Sequence, residues 1–370
     1  MKPVTKSISL IVTQSCNLNC TYCYEQSKSK KEMSFDMAFS ILERYLASNG
    51  TEYDDCSIEL FGGEPFLNFP LIKELCEAIW ERDWKKNYTF RTTTNGTLIH
   101  GEIQDWIRAN QHRLFIGLSL DGTPEMQNIN RSNSFSKIDL HFFQNLDPKP
   151  SVKMTLSNET LLSLAEGTIF LHSLGFPIIT NNLAYSIDWT NSSNVDLLVK
   201  ELNHLEEYYL AHPEITPSSI LDMKIEYQGH NEKKWCGTGT DMVAYDVDGK
   251  DYACQMFIPL SIGQAEAESS RKIDFFIKDN FFDPKCKSCI INAICPTCYG
   301  SNYHEHDNVA TRSNQLCQLN KVTALANAHF QAKKILMNKN LKELEKEKYL
   351  VAKAALKIQQ EIVVDPGFFL

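Results

Sequence analysis

Three cysteines, Cys16, Cys20 and Cys23, crowd the stretch VTQSCNLNCTYCYE, directly after the alternating apolar run SISLIV. Four thiolates normally close a four-iron cluster, so a loop offering three leaves one iron without a protein ligand and free to bind a substrate. A second reactive group follows in GGEP. Gly62 and Gly63 permit close backbone approach, and the Glu64 carboxylate could hold an ammonium group. Together they point to a zwitterionic amino acid moiety as the ligand. Taken alone, the CxxxCxxC spacing also fits a zinc site, but zinc needs a fourth ligand close by.

The compartment gives these thiols their meaning. The 370 residues carry 43% hydrophobic and 22% charged side chains, ordinary for a soluble globular chain, and no apolar run approaches the ~18 residues of a membrane span. The opening MKPVTKSISLIVTQ lacks a signal peptide's apolar segment and cleavage site, so a reducing cytoplasm is expected. There, 12 cysteines imply metal binding more than disulfides. Seven fall between Cys236 and Cys317 and three between Cys16 and Cys23. Cys56 and Cys76 stand apart, in an apolar run and a helix-like segment, and read as small buried hydrophobes. A net charge of −9 argues against a nucleic-acid partner.

Positioning these groups requires a scaffold, and the chain supplies a regular one. Short strand-like runs, SISLIVT, SIELFGG, YTFRTTTN, LFIGLSLD, SVKMTLS and PIITNNLAYS, alternate with helical segments such as SFDMAFSILERYLAS and TLLSLAEGTIFLHSLG. Six βα units form a parallel sheet without completing an eight-stranded barrel, so the fold class is α/β, an open partial (β/α)6 barrel of TIM type. The clusters CNLNCTYC, GGEP, TTNGT and SLDGT all end strands and should converge on one rim. Beyond the proline- and serine-bearing LAHPEITPSS the pattern stops, and near Trp235 a cysteine-rich region begins. The expected domains are 1–212 for the barrel, 213–319 for the cysteine-rich region and 320–370 for a helical extension. The last has an apolar stripe of Ile335, Leu336, Leu344, Val351, Ala355 and Ile358.

With Tyr22 as the aromatic inside CxxxCxxC and GGEP in order behind it, the sequence resembles the radical SAM superfamily. The resemblance implies a [4Fe-4S] cluster on Cys16, Cys20 and Cys23, whose open iron chelates S-adenosylmethionine and whose electron cleaves it to a 5′-deoxyadenosyl radical. It further implies Gly62, Gly63 and Glu64 at the methionine ammonium and Tyr22 at the adenine. Ser119 and Asp121 of SLDG would take the methionine or ribose polar groups.

The later cysteines resemble a SPASM domain, whose members usually carry two auxiliary iron–sulfur clusters. Carried over in order, Cys286, Cys289, Cys295 and Cys317 would hold one, and Cys236, Cys254 and Cys298 the other. The second set lacks a fourth cysteine, and its vacant iron could take Asp241, Asp246 or a substrate thiol. Asp241, Asp246, Asp248, Asp251 and Tyr245 are candidate proton acceptors, although DVDGKD reads first as a polar hairpin turn, and His304 and His306 as a solvated loop. No catalytic base is identified.

Two activities follow from the resemblance. One is maturation of a ribosomally made precursor peptide by side-chain cross-linking. Its partners would be that peptide and an electron donor such as flavodoxin or ferredoxin, with the leader captured by the core domain, by the C-terminal helix or by a separate leader-binding protein, and with no nucleic acid and no membrane. The other is anaerobic sulfatase maturation, oxidising Cys or Ser to formylglycine, which fits the length and the early first strand. Such maturases typically place an Asp after the cysteine corresponding to Cys254, where this chain has Gln255, so peptide maturation is preferred. A non-enzymatic metal-binding adaptor is the third reading.

Overall fold

The computed structural model describes residues 4–227, 234–337 and 346–362. All six expected strands form: β1 (Thr5–Thr13), β2 (Asp55–Gly62), β3 (Asn87–Thr94), β4 (Leu114–Ser119), β5 (Ser151–Leu156) and β6 (Ile179–Leu183). Two more, β7 (Met242–Tyr245) and β8 (Asp251–Tyr252), arise inside the cysteine-rich region. The strand order is linear and does not return on itself, so the sheet is open, as the partial barrel requires.

By packing, the chain divides into two compact units. The first comprises Met1–Leu120, Arg131–Val152 and Cys236–Ile277, and the second Asp121–Asn130, Lys153–Trp235 and Lys278–Leu370. These units cut across the boundary expected at 212/213. The physical reason is β7, which pairs parallel to β1 from Ser7 opposite Met242 to Leu10 opposite Tyr245.

In the first unit the order is β4-β3-β2-β1-β7-β8, parallel throughout except for the antiparallel β7–β8 hairpin. Continuous apolar runs suit strands covered on both faces, and Ile8, Leu10, Ile11 and Val12 of β1 are fully buried. The helix Phe35–Leu46 begins where Ser34 accepts a hydrogen bond from the Met37 amide, and it buries Ala38, Ile41, Leu42 and Leu46 at helical spacing. From it Arg44 donates to the Tyr245 hydroxyl, which also contacts the Tyr45 hydroxyl at 2.8 Å, fastening β7 to that helix. The expected DVDGKD turn closes β7–β8, with Asp246 N donating to Lys250 O and Gly249 at φ +78°.

The second unit holds β6 and most of β5, with helices Leu164–Ser173, Ser193–Ala211, Asn314–Met337 and Lys346–Glu361. Ile225, Ile291, Ile294, Leu325, Ala328, Ala355 and Ile358 share one core. The expected C-terminal stripe is therefore only partly right: Ala355 and Ile358 are buried, but Leu336 is 69% exposed at a helix end. Leu344 lies outside the described residues. His304 and His306 stand exposed on the helix Tyr299–His306, not in a loop. No helix among the described residues is long and apolar enough to cross a membrane.

Candidate functional site

The cysteine loop leaves the C-terminal end of β1, and its root is stapled to the end of β2. Gly63 N donates to Thr13 O, and Glu64 N to Ser15 O at 2.8 Å. A Cβ on Gly62, whose φ is +147°, would meet Thr13 O at 2.1 Å, and one on Gly63 would meet Ser15 O at 2.4 Å. The close approach these glycines permit is therefore that of the cysteine loop's own backbone.

Glu64 is 1% exposed. Its carboxylate accepts from Thr94 Oγ1 at 2.7 Å, Asn95 N at 2.8 Å and Phe66 N at 3.3 Å. Burial pushes its pKa up to about 7, against the pull of those donors and of Arg131. The carboxylate thus joins the ends of β2 and β3. The TTNGT loop after β3 reaches the cysteine loop directly: Asn95 Nδ2 donates to Asn17 Oδ1, and Asn17 Nδ2 to Thr97 Oγ1. Convergence of these strand ends on one rim, expected from their order, is realised within the first unit.

Cys16, Cys20 and Cys23 are of intermediate exposure. Burial raises Cys16 to about 11 and also raises Cys23, while the nearby Lys28 ammonium lowers both. Beside them Glu25 is 6% exposed with Oε1 buried and lacking a hydrogen-bond partner, and burial pushes its pKa up to about 8. An orphaned acceptor next to three thiols fits a bound group that brings its own donors. Among the described residues no three His, Cys, Asp or Glu side chains are arranged to hold a single metal ion. A cluster makes a different demand, because its cysteines bind separate irons. Tyr22 lies under the Arg131 guanidinium at 5.4 Å. Arg131, a buried cation near Glu64, went unnoticed in the sequence, where no motif marks it.

Ser119 ends β4 and is half-buried. Asp121 belongs to the second unit and is fully buried, its Oδ1 accepting from Thr155 N and its Oδ2 from Asn130 Nδ2. Its carboxylate organises strand ends, as Glu64 does in the first unit.

The auxiliary cysteines divide between the units. In the first, Cys236 and Cys254 flank the β7–β8 hairpin, and Gly239 N donates to Ala253 O between their segments. Gln255, after Cys254, has a buried Oε1 without a partner. Asp246 is 3% exposed, and its Oδ1 accepts from Gln14 Nε2 at 2.8 Å. In the second unit Cys286, Cys289, Cys295, Cys298 and Cys317 line one cavity with Arg312 and Asn320. A larger cleft of about 940 Å³ adjoins it, sharing Tyr185, Pro296, Leu316 and Asn320, and is also lined by Asn182, Trp235 and Ile294.

With this geometry in place, the class can be stated. Residues 10–139 match the Radical SAM superfamily, and this segment is a radical SAM domain. A cysteine-type anaerobic sulfatase-maturating enzyme of Clostridium perfringens is 31% identical over 151 residues, 36% of this chain and 39% of the relative. The chain thus matches about two fifths of the length of its curated relatives. Among solved structures, native anSMEcpe with bound AdoMet and a peptide superimposes at TM-score 0.72 and 21% identity, over 90% of this chain and 99% of that one. Streptococcus suis SuiB bound to the precursor peptide SuiA gives 0.59 at 16% identity, over 85% and 76%. At these identities the likeness is one of fold, a partial barrel with a cysteine-bearing C-terminal domain.

Proposed function

We propose that this chain is a cytoplasmic radical SAM maturase that abstracts hydrogen from a ribosomally synthesised precursor peptide and yields an oxidised product, a side-chain cross-link. The observation that carries this reading is the three-thiol loop at the end of β1, stapled to the GGEP turn with the unpartnered Glu25 oxygen beside it. Bound there, the cluster and S-adenosylmethionine would supply a carbon radical able to take hydrogen from an unactivated position. Cys16, Cys20 and Cys23 would hold the cluster. Tyr22, the Gly62 and Gly63 backbone, Glu64, Ser119 and Asp121 would shape the cosubstrate's bed. Since Glu64 and Asp121 each spend both oxygens on groups of their own unit, the part of each is to fix the backbone around it.

As a division by function, 1–212, 213–319 and 320–370 would serve as catalytic, auxiliary and helical parts. Cys286, Cys289, Cys295 and Cys317 would hold one auxiliary cluster, and Cys236, Cys254 and Cys298 a second that lacks a fourth thiolate. Flavodoxin or ferredoxin would deliver electrons, and the core domain, the C-terminal helix or a separate protein would capture the leader. The peptide-bound state of two fold relatives supports a peptide as substrate.

Sulfatase maturation is the second reading, favoured by the relative from Clostridium perfringens and disfavoured by Gln255, which cannot act as a carboxylate base. The test is to incubate the anaerobically reconstituted protein with S-adenosylmethionine, reductant and the small peptide encoded beside it. A loss of two hydrogens per cross-link is expected. An inert precursor together with oxidation of a sulfatase Cys or Ser peptide would reverse the ranking, and no cleavage of S-adenosylmethionine at all would favour a metal-binding adaptor.

A further inference from the structure

We propose that Arg312 donates a hydrogen bond to the auxiliary cluster of Cys286, Cys289, Cys295 and Cys317, raising its reduction potential so that it can receive an electron from the substrate radical. This rests on the auxiliary-cluster reading above.

Arg312 lines the cysteine cavity of the second unit. Its backbone is fixed by Asp283, whose Oδ2 accepts from Arg312 N at 2.9 Å while Oδ1 accepts from Lys285 N at the turn Pro284–Cys286. One buried carboxylate thus sets both a ligand-bearing turn and the arginine. Lys285 Nζ adds a bond to Arg312 O. The guanidinium itself is poorly served. Nη2 makes one long contact, 3.4 Å to Asn292 Oδ1, and Nε is buried with no partner. Among the described residues the side chain forms no ion pair.

A buried guanidinium N–H left unmade costs on the order of 1–3 kcal/mol or more. The cavity offers sulfur as acceptor, and one sulfur already takes an N–H: Asn320 Nδ2 lies 3.7 Å from Cys295 Sγ. A four-thiolate cluster is anionic and gains a further negative charge on reduction. A cation and an N–H donor at its sulfurs therefore favour the reduced form. In the proposed reaction the substrate radical gives up one electron and one proton, the electron reducing this centre and the proton passing to solvent water.

The full chain, reconstituted without oxygen, would be titrated with reductant and followed by electron paramagnetic resonance. The signal of this centre is the one that disappears in Cys289→Ala. Arg312→Gln should keep iron and sulfide content while lowering the reduction equilibrium about tenfold, which is 59 mV for one electron. Arg312→Lys should fall between. Full iron with an unchanged potential in both variants overturns the proposal. If Arg312→Gln loses iron, Arg312→Lys decides, a lowered potential supporting the assignment and the native potential overturning it. If Cys289→Ala removes no iron, the auxiliary reading itself has failed, a result the iron count separates from a failure of Arg312 alone.

Discussion

Gly63 carries a more stringent requirement than any charged residue of the first unit's rim. A methyl group there would press on Ser15 O and on the Cys16 Cβ at 2.9 Å, and both belong to the loop that presents the thiols. Gly63→Ala should displace that loop, cost about 1–3 kcal/mol, and lower iron retention at the N-terminal centre. Iron counts and urea midpoints would register the two effects separately. Cys76 makes the opposite case. It is fully buried in the helix Phe69–Trp80, and burial pushes its thiol far above the ordinary range. Cys76→Ala should leave the iron content unchanged, and a fall in bound iron would refute its reading as a packing residue. Such roles divide by what sequence can carry. Thiol spacing and GGEP are written in residue types and order, so the site's chemistry was legible. That the carboxylates of Glu64 and Asp121 turn inward, and that Arg131 and Arg312 face the thiol-bearing loops, depends on rotamers and on neighbours distant in the chain.

Helices show the same division. The period of apolar residues predicts the helix Phe35–Leu46 closely, and the expected C-terminal extension is helical over both of its described stretches, Asn314–Met337 and Lys346–Glu361. Asn314–Met337 joins the helix Ser193–Ala211 through ion pairing to a buried carboxylate that no local pattern announces. Glu206, 4% exposed, accepts from His329 Nδ1 at 2.9 Å and pairs with Lys333 Nζ at 2.8 Å. Burial pushes its carboxyl up, but the two partners outweigh it and hold the group below its usual range. A depressed carboxyl contributes stability above its unfolded value, and the contribution disappears as pH falls through the folded value. Glu206→Gln should cost about 1–3 kcal/mol near neutrality. The gap to the native protein should close under acid conditions, as denaturant midpoints at pH 7 and pH 3 would reveal. A constant gap would rule out the ion pair as its cause.

For the molecule as a whole, the six βα units were legible because apolar runs of strand length alternate with helical periods. What escaped notice was the return of the chain to β1. With four residues in β7 and two in β8, the hairpin is too short to stand out from a polar turn, and its partner lies at the other end of the first unit's sequence. A chain ending at residue 212 would strip β1 of β7 and Lys6 of its bond to Thr240 O. Such a truncation should show no cooperative unfolding transition. A sharp transition would mean that the barrel segment is autonomous after all.

The same pairing imposes a timetable during synthesis. Strand β1 leaves the ribosome more than two hundred residues before the strand that will lie against it, a delay of roughly 10 to 50 s at ~5–20 residues per second. Through that interval the open edge of β1 and the adjoining thiols have no finished shelter, so assembly of the first unit, and any metal loading that depends on it, must await nearly three quarters of the chain.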